Sequence, residues 1–186
     1  SSELKKEYLS ADKKGFCVYF VGLSGCGKST LANFLISKLY ELTNRKVTYL
    51  DGDIVRRELS KGLGFSKEDR SKNVRRIGFV CSEVVKHGGV AVAANIAPYE
   101  EDRIHNKASI SSNGEYIEVF VKTDLSICEE RDVKGLYKLA REGVIKQFTG
   151  ISDPFEEPTN SSIIVDGNDD LDKNLNIIID HLKSKK

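Results

Sequence analysis

The chain has 186 residues, of which 39% are hydrophobic and 31% charged, and its formal net charge is +1. This length fits one domain with a sizeable core, and the composition is typical of a globular protein. The near-neutral charge gives no reason to expect a nucleic-acid partner, and no apolar run approaches the roughly 20 residues that span a bilayer. We therefore expect a protein that binds neither nucleic acid nor a membrane.

The four cysteines are scattered along the chain, with no CxxC pair and no metal-ligand spacing. This pattern favours reduced thiols over disulfides. We therefore expect a cytoplasmic location, although the removal of a targeting segment would leave the same sequence.

Predicted strands and helices alternate along the chain. The polar residues 1–14 predict a flexible arm or linker, which precedes a single domain at residues 15–186. This alternation predicts an α/β fold in which helices flank a five-stranded parallel sheet. Apolar runs place the five buried strands at residues 16–21, 47–50, 90–94, 116–121 and 162–165.

Three helices are predicted from apolar residues at helical spacing. One begins near Ser29, one covers residues 66–86 and one follows Leu171. The polar segment 132–153 lacks strong periodicity and predicts a mobile lid. In the first helix, the buried stripe is predicted to consist of Leu31, Phe34, Leu35, Leu39 and Leu42.

A complete phosphate-binding loop lies between the first strand and the first helix. Its glycines let backbone N–H groups turn toward phosphate oxygens, and the helix N-terminus adds partial positive charge. Lys28 is expected to reach the β- and γ-phosphates, and the Ser29 hydroxyl is expected to ligate Mg²⁺. The loop therefore predicts a P-loop NTPase fold. Its residues are Gly22, Leu23, Ser24, Gly25, Cys26, Gly27, Lys28 and Ser29.

Two acidic residues follow the second strand. Asp51 comes directly after the apolar run, and Asp53 lies two residues later at the same predicted edge of the sheet. Asp-Gly-Asp is also good turn chemistry. Beside a phosphate loop, however, two neighbouring carboxylates need a cation or substrate donors to offset their repulsion. We therefore expect Asp51 to complete the Mg²⁺ site with Ser29.

The kind of phosphotransfer follows from what surrounds the loop. A guanine-specific Asn-Lys-x-Asp motif is missing, because residues 106–109 lack the acid, and the chain is short for a helicase. A compact kinase with a lid remains. Its acceptor is predicted to be anionic because guanidinium groups suit phosphate or sulfate, although a solvated helix face is the ordinary interpretation of a charge run. The arginines concerned are Arg56, Arg57, Arg70, Arg75 and Arg76.

Further blocks are LDGD at residues 50–53, LGF at 63–65, RDVKGLY at 131–137 and FTGI at 148–151. In this order they resemble the adenylylsulfate kinase (APS kinase) family, over about residues 15–167 of the chain. The resemblance implies transfer of the ATP γ-phosphate to the 3′-hydroxyl of adenosine 5′-phosphosulfate (APS), giving PAPS and ADP. It also implies Mg²⁺ with ATP and a homodimer, and it leaves open a fused or associated ATP sulfurylase.

The resemblance implies catalytic roles for Lys28 and Asp53, with Asp53 orienting or deprotonating the 3′-hydroxyl. Arg131 would lie against the adenine of ATP, and Thr30 would complete the ATP-binding loop. On the acceptor side, Phe65 and Phe148 would sandwich the adenine of APS. The APS-binding residues implied are Asp53, Arg56, Phe65, Arg70, Asn73, Ile96, Ala97, Lys134, Gln147 and Phe148. Of these, the phosphosulfate would be held by Arg56, Arg70 and Asn73.

The chain departs from the family pattern at three of these positions. Ala97 stands where many members have a serine that has been discussed as a phosphate carrier, so we expect direct transfer without a phosphoserine. Gln147 adds bulk where a small residue is common. Cys26 replaces a small residue in the loop, either as a filler or as an oxidation-sensitive thiol.

Two alternatives remain open at this point. One is a kinase for another anionic nucleotide acceptor. The other is a non-catalytic nucleotide-binding or regulatory domain of a larger sulfate-activating protein. The second is disfavoured because a degenerate domain has no use for Lys28, Ser29, Asp51 and Asp53 together.

Overall fold

The computed structural model describes residues 14–43 and 45–185. Within them, the strands form one parallel sheet in the order β2-β3-β1-β4-β5. All five predicted strands are confirmed, with bounds that differ by at most one residue at each end, and the predicted α/β class is confirmed with them. The strands are β1 (Phe16–Val21), β2 (Val47–Asp51), β3 (Val90–Asn95), β4 (Glu115–Lys122) and β5 (Ile163–Asp166).

The three predicted helices are present, and four shorter ones accompany them. The long helix begins at Lys67, and the Ser66 hydroxyl accepts a hydrogen bond from the Asp69 N–H, as the capping pattern predicted. The helices of the described residues are α1 (Lys28–Thr43), α2 (Gly52–Glu58), α3 (Lys67–Lys86), α4 (Glu100–Ser111), α5 (Leu125–Arg131), α6 (Leu136–Arg141) and α7 (Leu171–Ser184).

The sheet is the middle of three layers, because β1 presents alternate side chains to two apolar clusters. Val18 and Phe20 belong to the cluster that includes residues of α1 and α7. Tyr19 and Val21 belong to the cluster that includes residues of α3 and α4. Since all strands are parallel, their carboxyl ends share one edge, and the loops after β1, β2 and β3 meet there.

The predicted stripe of α1 is partly wrong. Leu31, Leu35 and Leu39 are buried, but Phe34 is 49% exposed and Leu42 is 48% exposed. The buried residues recur at a spacing of four, which keeps them on one side of the helix, whereas position 34 lies on the flank. The stripe is therefore narrower than the count of apolar residues suggested.

Two further predictions concern the N-terminal arm and the lid. The N-terminal arm predicted for residues 1–14 lies outside them up to residue 13. The predicted lid, residues 132–153, contains α6, and its mobility stays a prediction.

None of the helices in residues 14–43 and 45–185 is both long and apolar enough to cross a membrane. All four cysteines are buried and free.

Candidate active site

A cavity of about 1140 Å³ opens at the carboxyl edge of the sheet. The phosphate loop, the end of β2, the turn after β3 and the predicted lid all contribute to its wall. Of the residues that the phosphate loop and the family resemblance assigned to the site, all line this cavity except Gly22 and Leu23. Of the five arginines considered for an anionic acceptor, Arg56 and Arg70 line it, whereas Arg57, Arg75 and Arg76 do not. Segments more than 100 residues apart in the chain therefore meet where the sequence predicted one site.

Lys28 is folded back onto its own loop. Its Nζ donates to the carbonyl oxygens of Gly22, at 2.9 Å, and Leu23, at 2.6 Å. The side chain is buried, so the ammonium group has exchanged water for these two carbonyls. Gly22 and Leu23 thus contribute to the site from beneath the loop, through the lysine that they hold.

Cys26 fills the space between the loop and the sheet. It has no exposed surface, and its Sγ lies 3.6 Å from Lys28 Nζ. A Cβ at Gly22 would come within 2.8 Å of this sulfur and 2.6 Å of the Val121 carbonyl oxygen. These contacts favour the interpretation of Cys26 as a packing residue, and they require glycine at position 22.

Asp51 connects β2 to the phosphate loop. Its Oδ2 accepts hydrogen bonds from Ser29 Oγ at 3.2 Å and from the Tyr49 hydroxyl at 3.1 Å, while its Oδ1 accepts from the Asp53 N–H and caps α2. Burial, helped by the charge of Asp51, raises the pKa of Tyr49 to about 12. The tyrosine therefore stays protonated at neutral pH and keeps donating to the carboxylate.

Asp53 forms an ion pair with Lys134 of the predicted lid. Both side chains are more than half exposed, so solvent screens the pair and its contribution to stability is small. The contact nevertheless brings the acid after β2 against a residue 81 positions further along the chain. The candidate base and the candidate lid cation are thus within reach of each other.

An arginine and an aromatic ring stack on the acceptor side of the cavity. The Arg56 guanidinium lies 4.3 Å from the centre of the Phe65 ring, which is 58% exposed. Burial, and after it the charge of Arg70, lowers the pKa of Arg56. Two guanidinium groups that disfavour each other's charge make a site where a bound anion would be stabilised.

Arg70 is already engaged by the C-terminal part of the predicted lid. Its guanidinium donates to Thr149 Oγ1, to the Gln147 carbonyl and to the Asp153 carboxylate. The side chain is buried, so these bonds are shielded from water and hold residues 147–153 against α3. In this structure Arg70 anchors the pocket wall, and its predicted contact with a phosphosulfate group stays a prediction.

Phe148 is buried and meets Tyr137 edge to face, with ring centres 4.9 Å apart. The Tyr137 hydroxyl donates to the Ser24 carbonyl oxygen of the phosphate loop. One aromatic pair thus joins the acceptor side of the cavity to the ATP side. Phe65 lines the same cavity, so the two predicted stacking rings share one pocket.

Arg131 lies at the other end of the phosphate loop. It donates to the carbonyl oxygens of Gly25 and Gly167 and to Asn168 Oδ1. Its exposed guanidinium therefore links the loop to the turn after β5. That location, at the base of the phosphate loop, is compatible with its predicted contact with the adenine of ATP.

The turn after β3 carries Ile96 and Ala97. Ala97 is buried and has a φ of 43°, in the left-handed region that residues with a Cβ rarely occupy. Asn95, at the end of β3, donates through Nδ2 to the Tyr19 hydroxyl, and its Oδ1 is buried without a partner.

Sequence reasoning assigned no role to four residues that shape the site: Tyr49, Asn95, Tyr137 and Arg103, whose Nη1 donates to the Ala97 carbonyl oxygen. Tyr49 lies two positions before Asp51, and Tyr137 lies three positions after Lys134. Both could have been found by asking which hydroxyls lie two or three positions from an assigned site residue. Arg103 acts through a backbone carbonyl, for which the sequence has no signal.

Gly167 is where the end of β5 packs under the phosphate loop. A Cβ at this position would lie 2.1 Å from Thr123 Oγ1 and 2.4 Å from the Cys26 carbonyl oxygen. We expect Gly167→Ala to displace the loop, lowering the free energy of unfolding by about 1–3 kcal/mol and ATP affinity by about 10-fold. Thermal unfolding and titration with a non-hydrolysable ATP analogue measure the two effects.

The matched control is Gly62→Ala. Gly62, unlike Gly167, has a positive φ, of 92°, and a Cβ there would meet no atom within 4 Å. This variant is expected to lose stability through its backbone conformation alone and to keep the affinity for nucleotide. Equal loss of nucleotide affinity in both variants would contradict the assigned contact between Gly167 and the loop.

The fold and the site together define a P-loop kinase that acts on a small molecule. The phosphate loop joins β1 to α1, an acid at the end of β2 contacts it, and a second pocket adjoins it. Residues 14–166 match the family described as adenylylsulphate kinase. The chain therefore belongs to the adenylylsulphate kinase family, and it is an ATP-dependent kinase.

Individual relatives agree with this assignment. The adenylyl-sulfate kinase of Gloeothece citriformis is 47% identical over 171 residues, which are 91% of this chain and 95% of that protein. The probable adenylyl-sulfate kinase of Halalkalibacterium halodurans is 53% identical over 167 residues, 89% of this chain and 82% of that protein. The Mycobacterium tuberculosis APS kinase, solved in complex with AMPPNP and APS, has a TM-score of 0.85 at 35% identity, covering 92% of this chain and 99% of that chain.

Proposed function

We propose that this chain transfers the γ-phosphoryl group of ATP directly to the 3′-hydroxyl of APS, giving PAPS and ADP. The observation that carries the proposal is one cavity shared by the phosphate loop, Asp53 and an acceptor pocket with Arg56 and Phe65. Phosphoryl transfer gains most from positioning and charge neutralisation. A wall that offers a phosphate cradle, an acid and cationic and aromatic groups supplies both.

The ATP side is formed by the phosphate loop. Backbone N–H groups at the start of α1 and the Lys28 ammonium would hold the phosphates once Lys28 leaves the carbonyls of Gly22 and Leu23. Ser29 and Asp51 fit a Mg²⁺ ion, because their oxygens already lie 3.2 Å apart and hard oxygen donors are what this ion prefers. When bound with ATP, Mg²⁺ would neutralise charge on the phosphates.

Asp53 is assigned to the acceptor hydroxyl. Its carboxylate would accept a hydrogen bond from the 3′-hydroxyl and take up its proton as the new bond to phosphorus forms. Lys134 pairs with Asp53 in this structure, so a 3′-hydroxyl that bonds to the carboxylate would displace the ammonium group. The released ammonium would then face the phosphates, adding positive charge where negative charge develops.

The remaining acceptor residues would bind the rest of APS. Phe65 and Phe148 would stack on its adenine, an interaction worth roughly 1–3 kcal/mol for each base. Arg56 offers its guanidinium to the phosphosulfate, since the side chain is partly exposed and no carboxylate pairs with it among the described ion pairs. Ile96, Ala97 and Gln147 would line the pocket beside these groups.

Turnover with different acceptors tests this function. ADP release from Mg-ATP is measured with APS, with AMP and without acceptor. Release that depends on APS supports the proposal, release with AMP at the same rate supports a kinase for another anionic nucleotide, and nucleotide binding without release supports a regulatory domain.

The direct route is a separate prediction. Ala97 has no hydroxyl that could carry a phosphate. The protein is first incubated with ATP labelled in the γ-phosphate, without APS, and APS is added afterwards. We expect no label on the protein that can be transferred to APS. Ala97→Ser is the matched variant, because it adds the single hydroxyl. A wild-type phosphoenzyme that passes its label to APS would contradict direct transfer.

We further propose that the chain forms a homodimer and works in a reducing, cytoplasmic compartment, the latter supported by its four free, buried cysteines. Light scattering on the purified protein measures the assembly directly. Residues 15–186 would form the kinase domain, whether or not an ATP sulfurylase is attached or associated.

A further inference from the structure

Ala97 holds an unfavourable backbone conformation in the wall of the acceptor pocket. Its φ of 43° is one of two positive values among the non-glycine residues described, the other belonging to Asp132. A Cβ crowds the neighbouring carbonyl oxygen in this region, so surrounding contacts must maintain the conformation. Ala97 is also almost fully buried, which leaves water no part in stabilising it.

Arg103 makes the contact that maintains this conformation. The side chain is 4% exposed, and its Nη1 donates to the Ala97 carbonyl oxygen at 2.7 Å. Its Nη2 donates at 2.7 Å to the carbonyl oxygen of Glu156. A buried guanidinium is usually matched by a carboxylate, whereas this one spends both Nη atoms on backbone carbonyls.

Glu156 closes the arrangement from the other side. Its N–H donates to the Pro98 carbonyl oxygen at 2.9 Å, and its Oε2 accepts from the Glu100 N–H at 2.6 Å. The turn after β3 and the start of α4 are therefore fixed at three points, Ala97, Pro98 and Glu100, to the segment that follows the predicted lid. Arg103 lies at the centre of these contacts and joins the turn after β3 to the segment that contains Glu156.

The fixed turn is part of the acceptor pocket. Ile96 and Ala97 line the cavity, and they follow β3, whose Ala94 lies beside Asp51 in the sheet register. A rotation at Ala97 would move the pocket wall relative to the acid-bearing end of β2. Because displacements of about 1 Å can lower rates by about 10²-fold, the conformation of this turn matters for catalysis.

We propose that Arg103 is a positioning residue for the acceptor site, holding Ala97 in its left-handed conformation so that Ile96 and Ala97 meet APS in the right place. The inference rests on the proposed function. It assigns a task in acceptor binding to a residue that does not line the cavity.

The test compares substrate constants in Arg103 variants of the full chain. Arg103→Met is expected to raise KM for APS by about 10-fold to 100-fold, the effect of losing a charge-assisted hydrogen bond, and to change KM for ATP less than 3-fold. Arg103→Lys, which keeps the charge and one donor, is expected to fall between Arg103→Met and the wild type. Equal increases in both KM values would overturn the proposal.

A second substitution separates positioning from general stability. Glycine adopts positive φ freely, so adding Ala97→Gly to Arg103→Met is expected to recover at least about 3-fold of the lost KM for APS. A purely structural Arg103 would show no such recovery, and its absence would also count against the proposal.

Thermal unfolding decides the matter even if Arg103→Met does not fold. Ala97→Gly alone is expected to leave Tm unchanged or higher, whereas the control Ala108→Gly, on the exposed face of α4, is expected to lower it. Equal losses of Tm would show that Ala97 is unstrained and overturn the proposal. Wild-type turnover with APS is measured first. If it is absent, the proposed function fails, and the Tm comparison still judges the strain at Ala97 on which the proposal depends.

Discussion

Asp53→Asn is expected to lower kcat by about 10²-fold to 10⁴-fold, the range that a positioned general base contributes. Asparagine keeps the size of the side chain but takes up no proton from the 3′-hydroxyl. The cap on α2 survives, because the Asp53 backbone N–H, and not its side chain, donates to Asp51. The affinity for ATP is therefore expected to stay near the wild-type value, and initial rates at saturating APS measure the change.

The fold is expected to tolerate this substitution. Asp53 is exposed, and its ion pair with Lys134 is solvent-screened, a setting in which pairs contribute about 0–1 kcal/mol. Glu58→Gln on the same helix is the matched control, since Glu58 pairs only with the neighbouring Arg57 at the surface. Turnover of Asp53→Asn within 3-fold of this control would remove Asp53 from the chemistry.

The framework of the site could be predicted because its signals are local. The strand before Gly22 is a short apolar run, and the loop after it has fixed residue types at fixed spacing. Parallel strands then bring the loop and Asp51 to one edge without further information. Physical rules that act over about ten residues were sufficient for this part of the fold.

The short helices could not be predicted in the same way. α2 and α4 are stabilised by one capping carboxylate and by packing of polar side chains, such as Asn106, whose Nδ2 donates to the Val74 carbonyl oxygen of α3. Neither leaves an apolar period in the sequence. The predicted lid likewise contains α6, whose first N–H groups bond to the Asp132 carboxylate.

What each charged residue contacts was also beyond the sequence. Arg70 was predicted to face the phosphosulfate, yet its partners lie 77 to 83 positions away, in the C-terminal part of the predicted lid. Lys134 meets Asp53 across 81 positions. Such pairings depend on the final packing of distant loops, and the residue types alone permit many of them. The left-handed Ala97 is a further case, because nothing in its side chain signals the conformation.

The contacts of Lys28 lead to the second prediction of a large loss of turnover. Its ammonium is bonded to two carbonyls of the loop that it must leave in order to reach a phosphate. When ATP binds, Lys28 would exchange these two carbonyl oxygens for phosphate oxygens, which are more negative. The electrostatic stabilisation would grow as charge develops on the transferred group. The exchange would therefore stabilise bound ATP moderately and would stabilise the transition state more strongly.

Lys28→Met is accordingly expected to lower kcat by about 10²-fold to 10³-fold, the usual result of removing one preorganised electrostatic donor, and to weaken ATP binding less. Methionine keeps the apolar stem in its buried place. Lys38→Met, on the exposed face of α1 where Lys38 pairs with Glu41, is the control. Rapid-quench measurement of the first turnover separates chemistry from product release. A Lys28→Met enzyme whose first turnover matches the control would mean that this lysine holds the loop together and takes no part in the transfer.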